Sequence, residues 1–405
     1  MSKASAEGTA ICEINGERLL SRIQTLGRIG FQDKTGTTRL SYSPEYQEGR
    51  RLVEGWMREA GLQTQVDPVG NLTGRTPGKG PRLCIGSHLD TVPGGGMYDG
   101  AYGVLAGIEC VQSLKEAGYA SRRPLEVVGF IEEEGNVIGG TFGSKAFAGV
   151  PVDAAMEPNM AQHGLTPEQV SASRRRGQDY RCYLELHIEQ GGTLEQEGLQ
   201  IGIAHGIVGI LRYRMRVEGF ANHAGSTAMS LRDDALVKTC RMIPWLMDRV
   251  TETSPELVCT VGTLQVFPGA VNVIPGRVEF IVELRGPRME VMDRLIQAFF
   301  QQFQAQGLTG EEYIRQSPTL CSPALIEESR RLCQALNFSS RDMFSGAGHD
   351  LINMAQITPS MLLFIPSRKG ISHSIQEYSA PADLVRGAQL LLELVKTLDQ
   401  KEGAL

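Results

Sequence analysis

A chain of 405 residues is too long for one compact core and predicts two domains or three, which excludes a single small binding module. With 41% hydrophobic and 21% charged residues, 47 glycines and 19 prolines, its composition is that of a globular protein rather than a disordered or fibrous one. The 46 acidic residues outnumber the 40 basic ones, and the net charge of -6 supplies no broad positive field for nucleic acid or an anionic membrane.

The segment Met1 to Ile14 lacks a basic start followed by an apolar run, so no secretory signal is visible. No apolar run is long enough to span a bilayer. Eight cysteines (Cys12, Cys84, Cys110, Cys182, Cys240, Cys259, Cys321 and Cys333) stand singly without a CxxC pair, the pattern of buried reduced thiols. Together these predict a cytoplasmic protein. The first helix signal is Ser43-Pro44, a cap followed by proline, with the helix running through Trp56 and Met57 to a stop at Gly61. Apolar runs at Arg82–Gly86, Leu125–Ile131 and Arg181–Leu186 alternate with helical stretches such as Gly103–Leu114, the rhythm of an α/β sheet covered on both faces.

From about Leu211 the pattern changes. Strand Leu211–Gly219, helix Asp233–Val250, strands Glu256–Val266 and Arg277–Leu284, helix Glu290–Gln304 and strand Glu311–Gln316 give the order βαββαβ, a ferredoxin-like motif. Tyr213 to Glu218 alternates polar with apolar residues, as a sheet wet on one face should. After Ser317-Pro318 and Ser322-Pro323 the α/β rhythm resumes with a helix from about Ala324, the strand Met361–Ile365 and a helix from Asp383 to Leu398. The expected architecture is one α/β domain, 1–208 with 321–405, interrupted by an inserted domain, 209–320.

Chemistry in such a sheet gathers beyond the C-terminal strand ends. The strand ending Gly86-Ser87-His88-Leu89-Asp90 delivers His88 and Asp90 at spacing two, and a glycine-rich loop, Gly94-Gly95-Gly96, brings back Asp99. A ligating imidazole commonly donates its other N–H to a carboxylate, the role this spacing offers Asp90, although His near Asp at a strand end is also ordinary surface chemistry. Glu132-Glu133-Glu134 follows the strand Leu125–Ile131. Acid runs are usually solvated turns; at a sheet's functional end, like charges repel unless a cation or a proton is shared. His187 ends another strand, and His373 lies in Gly370-Ile371-Ser372-His373. Imidazole and carboxylate donors in this ratio favour zinc, with manganese or cobalt as alternatives.

The set His88-x-Asp90, Asp99-Gly100, Glu133-Glu134-Gly135, His187-Ile188-Glu189-Gln190-Gly191, Asn222-His223-Ala224-Gly225, Asn272-Val273-Ile274-Pro275-Gly276, Gly346-Ala347-Gly348-His349-Asp350 and Gly370-Ile371-Ser372-His373 resembles the amidase, hydantoinase and carbamoylase family of binuclear metal amidohydrolases, related to dinuclear zinc exopeptidases. The resemblance runs from Tyr42 to the last helix. It implies a zinc-exopeptidase-like catalytic domain and an inserted lid and dimerisation domain. It also implies two divalent ions, one held by His88, Asp99 and His187 and the other by Asp99, Glu134 and His373. Glu133 would be the general base acting on the attacking water, Asp90 would orient His88, and His223 would stabilise the oxyanion. Asn272 and Arg285 would clamp a substrate carboxylate, with Gln190, Gly348 and His349 as further substrate contacts. Relatives carry a cis peptide after the aspartate at the Asp99 position, a bond that costs about 3–4 kcal/mol outside proline.

The activity implied is hydrolysis of an N-carbamoyl-L-amino acid to amino acid, ammonia and carbon dioxide by a homodimer, without nucleic acid or membrane partners. Allantoate hydrolysis and N-acyl-amino acid or dipeptide hydrolysis are alternatives on the same site, and a catalytically silent ligand-binding protein is a remote one. Two departures bear on the substrate. Gly135-Asn136-Val137-Ile138 predicts a less polar pocket wall, and Leu211, where allantoate hydrolases carry an arginine, offers no hydrogen bond to a second ureido group. Both favour an apolar carbamoyl- or acyl-amino acid.

Overall fold

The computed structural model describes residues 12–403 and 405. In chain order, helix α1 (Gly16–Gly27), strands β1 (Phe31–Gln32) and β2 (Gly36–Thr37) and helix α2 (Pro44–Glu59) lead into β3 (Gln63–Val66), β4 (Leu72–Arg75) and β5 (Arg82–His88). Next come α3 (Ala101–Glu116), β6 (Leu125–Phe130), α4 (Phe142–Ala148), α5 (Glu157–Gln162), α6 (Pro167–Ser173), β7 (Tyr180–Ile188), α7 (Thr193–Glu197) and β8 (Ile201–Ile207). A second group is β9 (Gly209–Glu218), α8 (Ala235–Thr253), β10 (Val258–Phe267), β11 (Arg277–Gly286), α9 (Met289–Phe303) and β12 (Leu308–Gln316). The chain ends with β13 (Thr319–Leu320), α10 (Pro323–Ala335), β14 (Ser340–Ser345), α11 (Leu351–Met354), β15 (Ser360–Ile365) and α12 (Pro381–Gln400).

These elements form two units. Among the described residues the first comprises those up to 205, 320–343 and those from 348 on, the second 206–319 and 344–347. The short segment 344–347 thus groups with the insertion, outside the span 209–320 drawn from sequence.

In the first unit the main sheet runs β13-β8-β15-β7-β5-β6-β4-β3, with β14 on β8. Its centre, β15-β7-β5-β6, is parallel throughout. β6 is buried along its whole length and β5 and β7 nearly so, as expected of parallel strands covered by helices on both faces. Helix α3 is buried on almost every side, against β5, β6 and β7 and against α1 and α12. Its one deeply buried acid, Glu109, accepts hydrogen bonds from Arg18 Nε and Nη2 of α1 at 2.8 and 2.7 Å, tying the two helices together. Ser43 caps α2 through the Tyr46 N–H, and Pro44 opens the helix.

In the second unit the strand order is β10-β11-β9-β12, antiparallel at every step. One face packs Leu211, Met215, Val217, Phe280 and Leu284 against Met242, Leu246, Phe299 and Phe303 of α8 and α9. The opposite face carries ion pairs such as Arg212–Glu283 and Arg214–Glu311. That division follows the alternation in β9.

Two expectations are corrected. Five cysteines are buried, but Cys12 and Cys259 are half-exposed and Cys240 is exposed; all eight are free. Helix α1 precedes the first helix read from sequence. No described helix is long and apolar enough to cross a membrane.

Candidate active site

Parallel strands end on the same edge of a sheet, and here three of them bring chemistry to it. β5 ends at His88, β6 opens into Glu132–Glu134, and β7 carries His187 one residue before its end. Beyond β15 lies the loop that carries His373. Pairings of His88 with Phe130 and of His187 with Phe364 set these ends level.

Asp99 stands at the centre. Its Oδ1 lies 3.4 Å from His88 Nε2 and 3.1 Å from His187 Nε2, and its Oδ2 lies 3.4 Å from His373 Nε2. Glu134 Oε2 is 3.4 Å from the same His373 nitrogen. Two groups of three therefore converge, His88-Asp99-His187 and Asp99-Glu134-His373, with Asp99 common to both. Donor chemistry in the first group fits a cation. His88 Nδ1 faces the Asp90 carbonyl oxygen at 3.0 Å and His187 Nδ1 the Ile188 carbonyl oxygen at 2.8 Å, so each ring turns Nε2 toward Asp99, where it offers an N–H to the carboxylate when protonated and a lone pair to a cation when neutral.

Charge is concentrated here. Burial, with the nearby Asp350 and Glu134 charges, pushes the Glu133 carboxyl well up against the opposing pull of His88. Burial and the charge of Asp99 push Glu134 up to about 7. Asp99 goes the other way: burial alone would raise it, but hydrogen bonds from His187, His373 and His88 hold it well below the usual carboxylate range. The Asp99 hydrogen bond, helped by Glu134, raises His373 to about 9.

Local backbone strain gathers at this edge. Glu132, Gln190 and His373, none of them glycine, have φ of 61°, 56° and 54°. Glu132 turns away from the site, and its Oε1 accepts the N–H groups of Val137, Ile138 and Gly139. Asp90 differs from expectation. The atom facing His88 within hydrogen-bond distance is its carbonyl oxygen, while its carboxylate, 3.7 Å from the ring, accepts the N–H groups of Glu133 and Glu134. Its side chain thus positions the acid run. The expected cis peptide after Asp99 is also absent: among the described residues the cis bond is Phe267–Pro268. The reversal is made instead at Gly100, with φ 63° and ψ -55°, closed by an Ala101 N–H to Asp99 carbonyl bond of 2.6 Å. This is a γ-turn of the rare, strained kind that glycine tolerates.

Other expected site residues fall on both units. In the first, Gln190 Nε2 donates to Asp99 Oδ2 at 2.7 Å. Gly348 is exposed, while His349 is 1% exposed and sets its ring edge-on to His187 with centroids 4.5 Å apart. In the second, His223 and Asn272 are exposed on adjoining loops, joined where the Ala224 N–H meets the Asn272 carbonyl and His223 bridges Val273. His223 Nδ1 accepts the N–H groups of Gly225 and Ser226, each at 3.1 Å, which places the ring proton on Nε2. Arg285 is held by Glu283 Oε1 at 2.7 Å and the Gly346 carbonyl at 2.8 Å.

Both sequence arguments about the substrate are overturned. Ile138 is buried in a small cluster with Val69, Phe142 and Met156, with Val137 packed against it, so these side chains do not form a pocket wall. Leu211 is 1% exposed in the second unit's core, because its register turns it toward the helices. Two further residues near the site carry no signal in the sequence. Glu377 is buried beside Asp99, and buried Arg39 donates from Nε to the Leu89 carbonyl just beyond His88. Neither lies in a pattern that marks it.

Residues 84–397 match the model of peptidase family M20/M25/M40. The chain is 39% identical to an N-carbamoyl-L-amino acid amidohydrolase of Geobacillus stearothermophilus, covering 96% of this chain and 100% of that one. It is 36% identical to an allantoate amidohydrolase of Bacillus subtilis (strain 168), covering 93% and 96%. Among solved structures, an amidase of the hydantoinase/carbamoylase family from Burkholderia multivorans superposes with a TM-score of 0.88 at 31% identity, covering 97% and 100%. With matches of this extent, the chain belongs to peptidase family M20/M25/M40 and, within it, to the hydantoinase/carbamoylase amidases.

Proposed function

We propose that this protein hydrolyses the C–N bond of an N-carbamoyl-L-amino acid, releasing the amino acid, ammonia and carbon dioxide. Glu133 carries the reading. It is a carboxylate outside both ligand groups, with Oε2 3.7 Å from His88 Nε2, and a merely structural ion site has no use for one. His88, Asp99 and His187 hold one divalent ion and Asp99, Glu134 and His373 the other; the nitrogen and oxygen donors suit zinc, with manganese or cobalt as alternatives. Two such ions supply Lewis acidity and lower the pKa of water.

Glu133 takes the water proton and returns it to the leaving nitrogen. His223 donates its Nε2–H to the oxygen on which charge develops. Asn272 and Arg285 bind the substrate carboxylate, with Gln190 and Gly348 as further contacts; His349, expected as another contact, is 1% exposed and instead packs edge-on against the His187 ring. The βαββαβ order and strand order of the second unit support reading it as a ferredoxin-like lid and dimerisation domain. Free cysteines support a reducing compartment, the cytoplasm.

An allantoate-type substrate is the second reading, favoured by the 36% identity to the Bacillus subtilis allantoate amidohydrolase and by the burial of Leu211, which removes the objection built on that residue. The test is a screen of metal-loaded protein against carbamoyl, formyl and acyl amino acids and allantoate, with ammonia and the organic product identified. Ammonia and a free amino acid are expected from the carbamoyl series, and chelator should abolish both until zinc, manganese or cobalt is restored. Turnover confined to acyl substrates, or full turnover in verified metal-free protein, would overturn the proposal.

A further inference from the structure

Asp99 is common to both ligand groups, but its oxygens divide between them: Oδ1 faces His88 and His187, and the second group depends on what holds Oδ2 toward His373. Two carboxylate oxygens of one buried residue do this from outside the ligand set. Glu377 Oε1 accepts the N–H of Tyr98 at 2.9 Å and that of Asp99 at 3.1 Å. Its Oε2 lies 2.9 Å from Ser372 Oγ, which also reaches Asp99 Oδ2 at 2.8 Å. Glu377 therefore ties the loop that carries Asp99 to the loop that carries His373, and Ser372 is the knot between them.

The same contact explains a glycine. A Cβ on Gly96 would stand 2.1 Å from Glu377 Oε1 and 2.5 Å from Glu377 Cβ, closer than atoms can approach. Gly96 has no left-handed φ, so the requirement is for space. The glycine-rich loop leaves a seat for the carboxylate that braces it.

We propose that Glu377, seated on Gly96 and linked through Ser372, is a positioning residue for the ion pocket Asp99-Glu134-His373. This rests on the two-metal reading above. The two pockets differ in how their ligands are held. His88 and His187 stand on strands β5 and β7, each with Nδ1 fixed to a backbone carbonyl. Asp99 and His373 stand on the two loops that Glu377 joins. Loss of the brace should therefore weaken the second pocket far more than the first, since partners that orient ligands commonly contribute about 10–100-fold in metal affinity.

The experiment is a zinc titration of metal-free full-length protein against a chromophoric chelator, resolving two dissociation constants, with the unfolding midpoint of each metal-free form measured alongside. Glu377→Ala and Gly96→Ala should each weaken by at least about tenfold the zinc that His373→Ala identifies as the second pocket's, and the other by less than about threefold. Glu377→Gln, which keeps an acceptor for the Tyr98 and Asp99 N–H groups, should restore most of the loss. Gly96→Ala keeps Glu377 in the chain, so the two variants reach the same contact from opposite sides. Wild-type affinities for both ions in Glu377→Ala and Gly96→Ala overturn the inference alone. Equal weakening of both ions, or a lowered metal-free midpoint with unchanged affinities, overturns it in favour of a general brace for the fold. A wild-type chain that takes up fewer than two zinc ions overturns the two-metal reading and this inference with it.

Discussion

Three adjacent glutamates do three different jobs, and side-chain direction separates them. Glu132, at φ 61°, is turned inward to hold the N–H groups of residues 137–139. Glu133 faces His88, and Glu134 faces His373 within a ligand group. Glu133→Gln should therefore bind two zinc ions as tightly as wild type and lose about 10³-fold in kcat, the range expected for removal of a general base. Metal content by mass spectrometry beside a rate assay checks this; a near-normal rate would remove Glu133 from the chemistry. At this scale the polar residues were the most legible from sequence, because His, Asp and Glu at strand ends are few and recur in a recognisable order. Side-chain facing was not legible. Leu211 and Ile138 were assigned to a pocket on composition, but strand register and a local cluster bury them, and neither shows in the letters.

At the scale of elements, the central strands and their helices were visible because apolar runs and cap residues mark them locally. Helix α1 is less legible, although Asn15 caps it and Leu19, Ile23 and Leu26 repeat on its buried face. Its other contacts are ionic, Arg18 and Arg22 to Glu109, and pairing across 91 positions leaves no local trace. The hairpin of β3 and β4 was missed for a related reason: two four-residue strands with Gln, Thr and Gly carry little apolar pattern. The Asp99–Gly100 step shows the converse. Strain was expected there and strain is present, but in φ and ψ of glycine rather than in the peptide bond. A Cβ at Gly100 would fall 2.3 Å from His88 Cε1. Gly100→Ala should thus do two things, costing about 1–3 kcal/mol of stability through the positive φ and displacing the His88 ring. The unfolding midpoint and the zinc affinity should fall together; an alanine variant with both unchanged would show that the turn can be made another way.

For the whole molecule, the second unit's sheet is open, with β10 and β12 as its two edge strands, and β10 is the longer. The sheet order β10-β11-β9-β12 puts β10 at an edge, ten residues long, with Val258 55% exposed and Leu264 42% exposed. A long edge with exposed apolar side chains is a template for pairing with another chain, which proteins cover, charge or use. The register irregularity between Val261 and Thr263 interrupts the edge only once. A two-fold axis beside β10 would pair the strand with its own copy, extend one sheet across two subunits and close the assembly at a dimer. Homodimerisation through this edge is therefore expected. Light scattering at working concentration should give twice the chain mass for wild type and a single chain for a Val258→Lys, Leu264→Lys double variant, in which like charges meet across the axis. A wild-type monomer with intact activity would reject the dimer, and a double variant that stays dimeric would move the interface off β10.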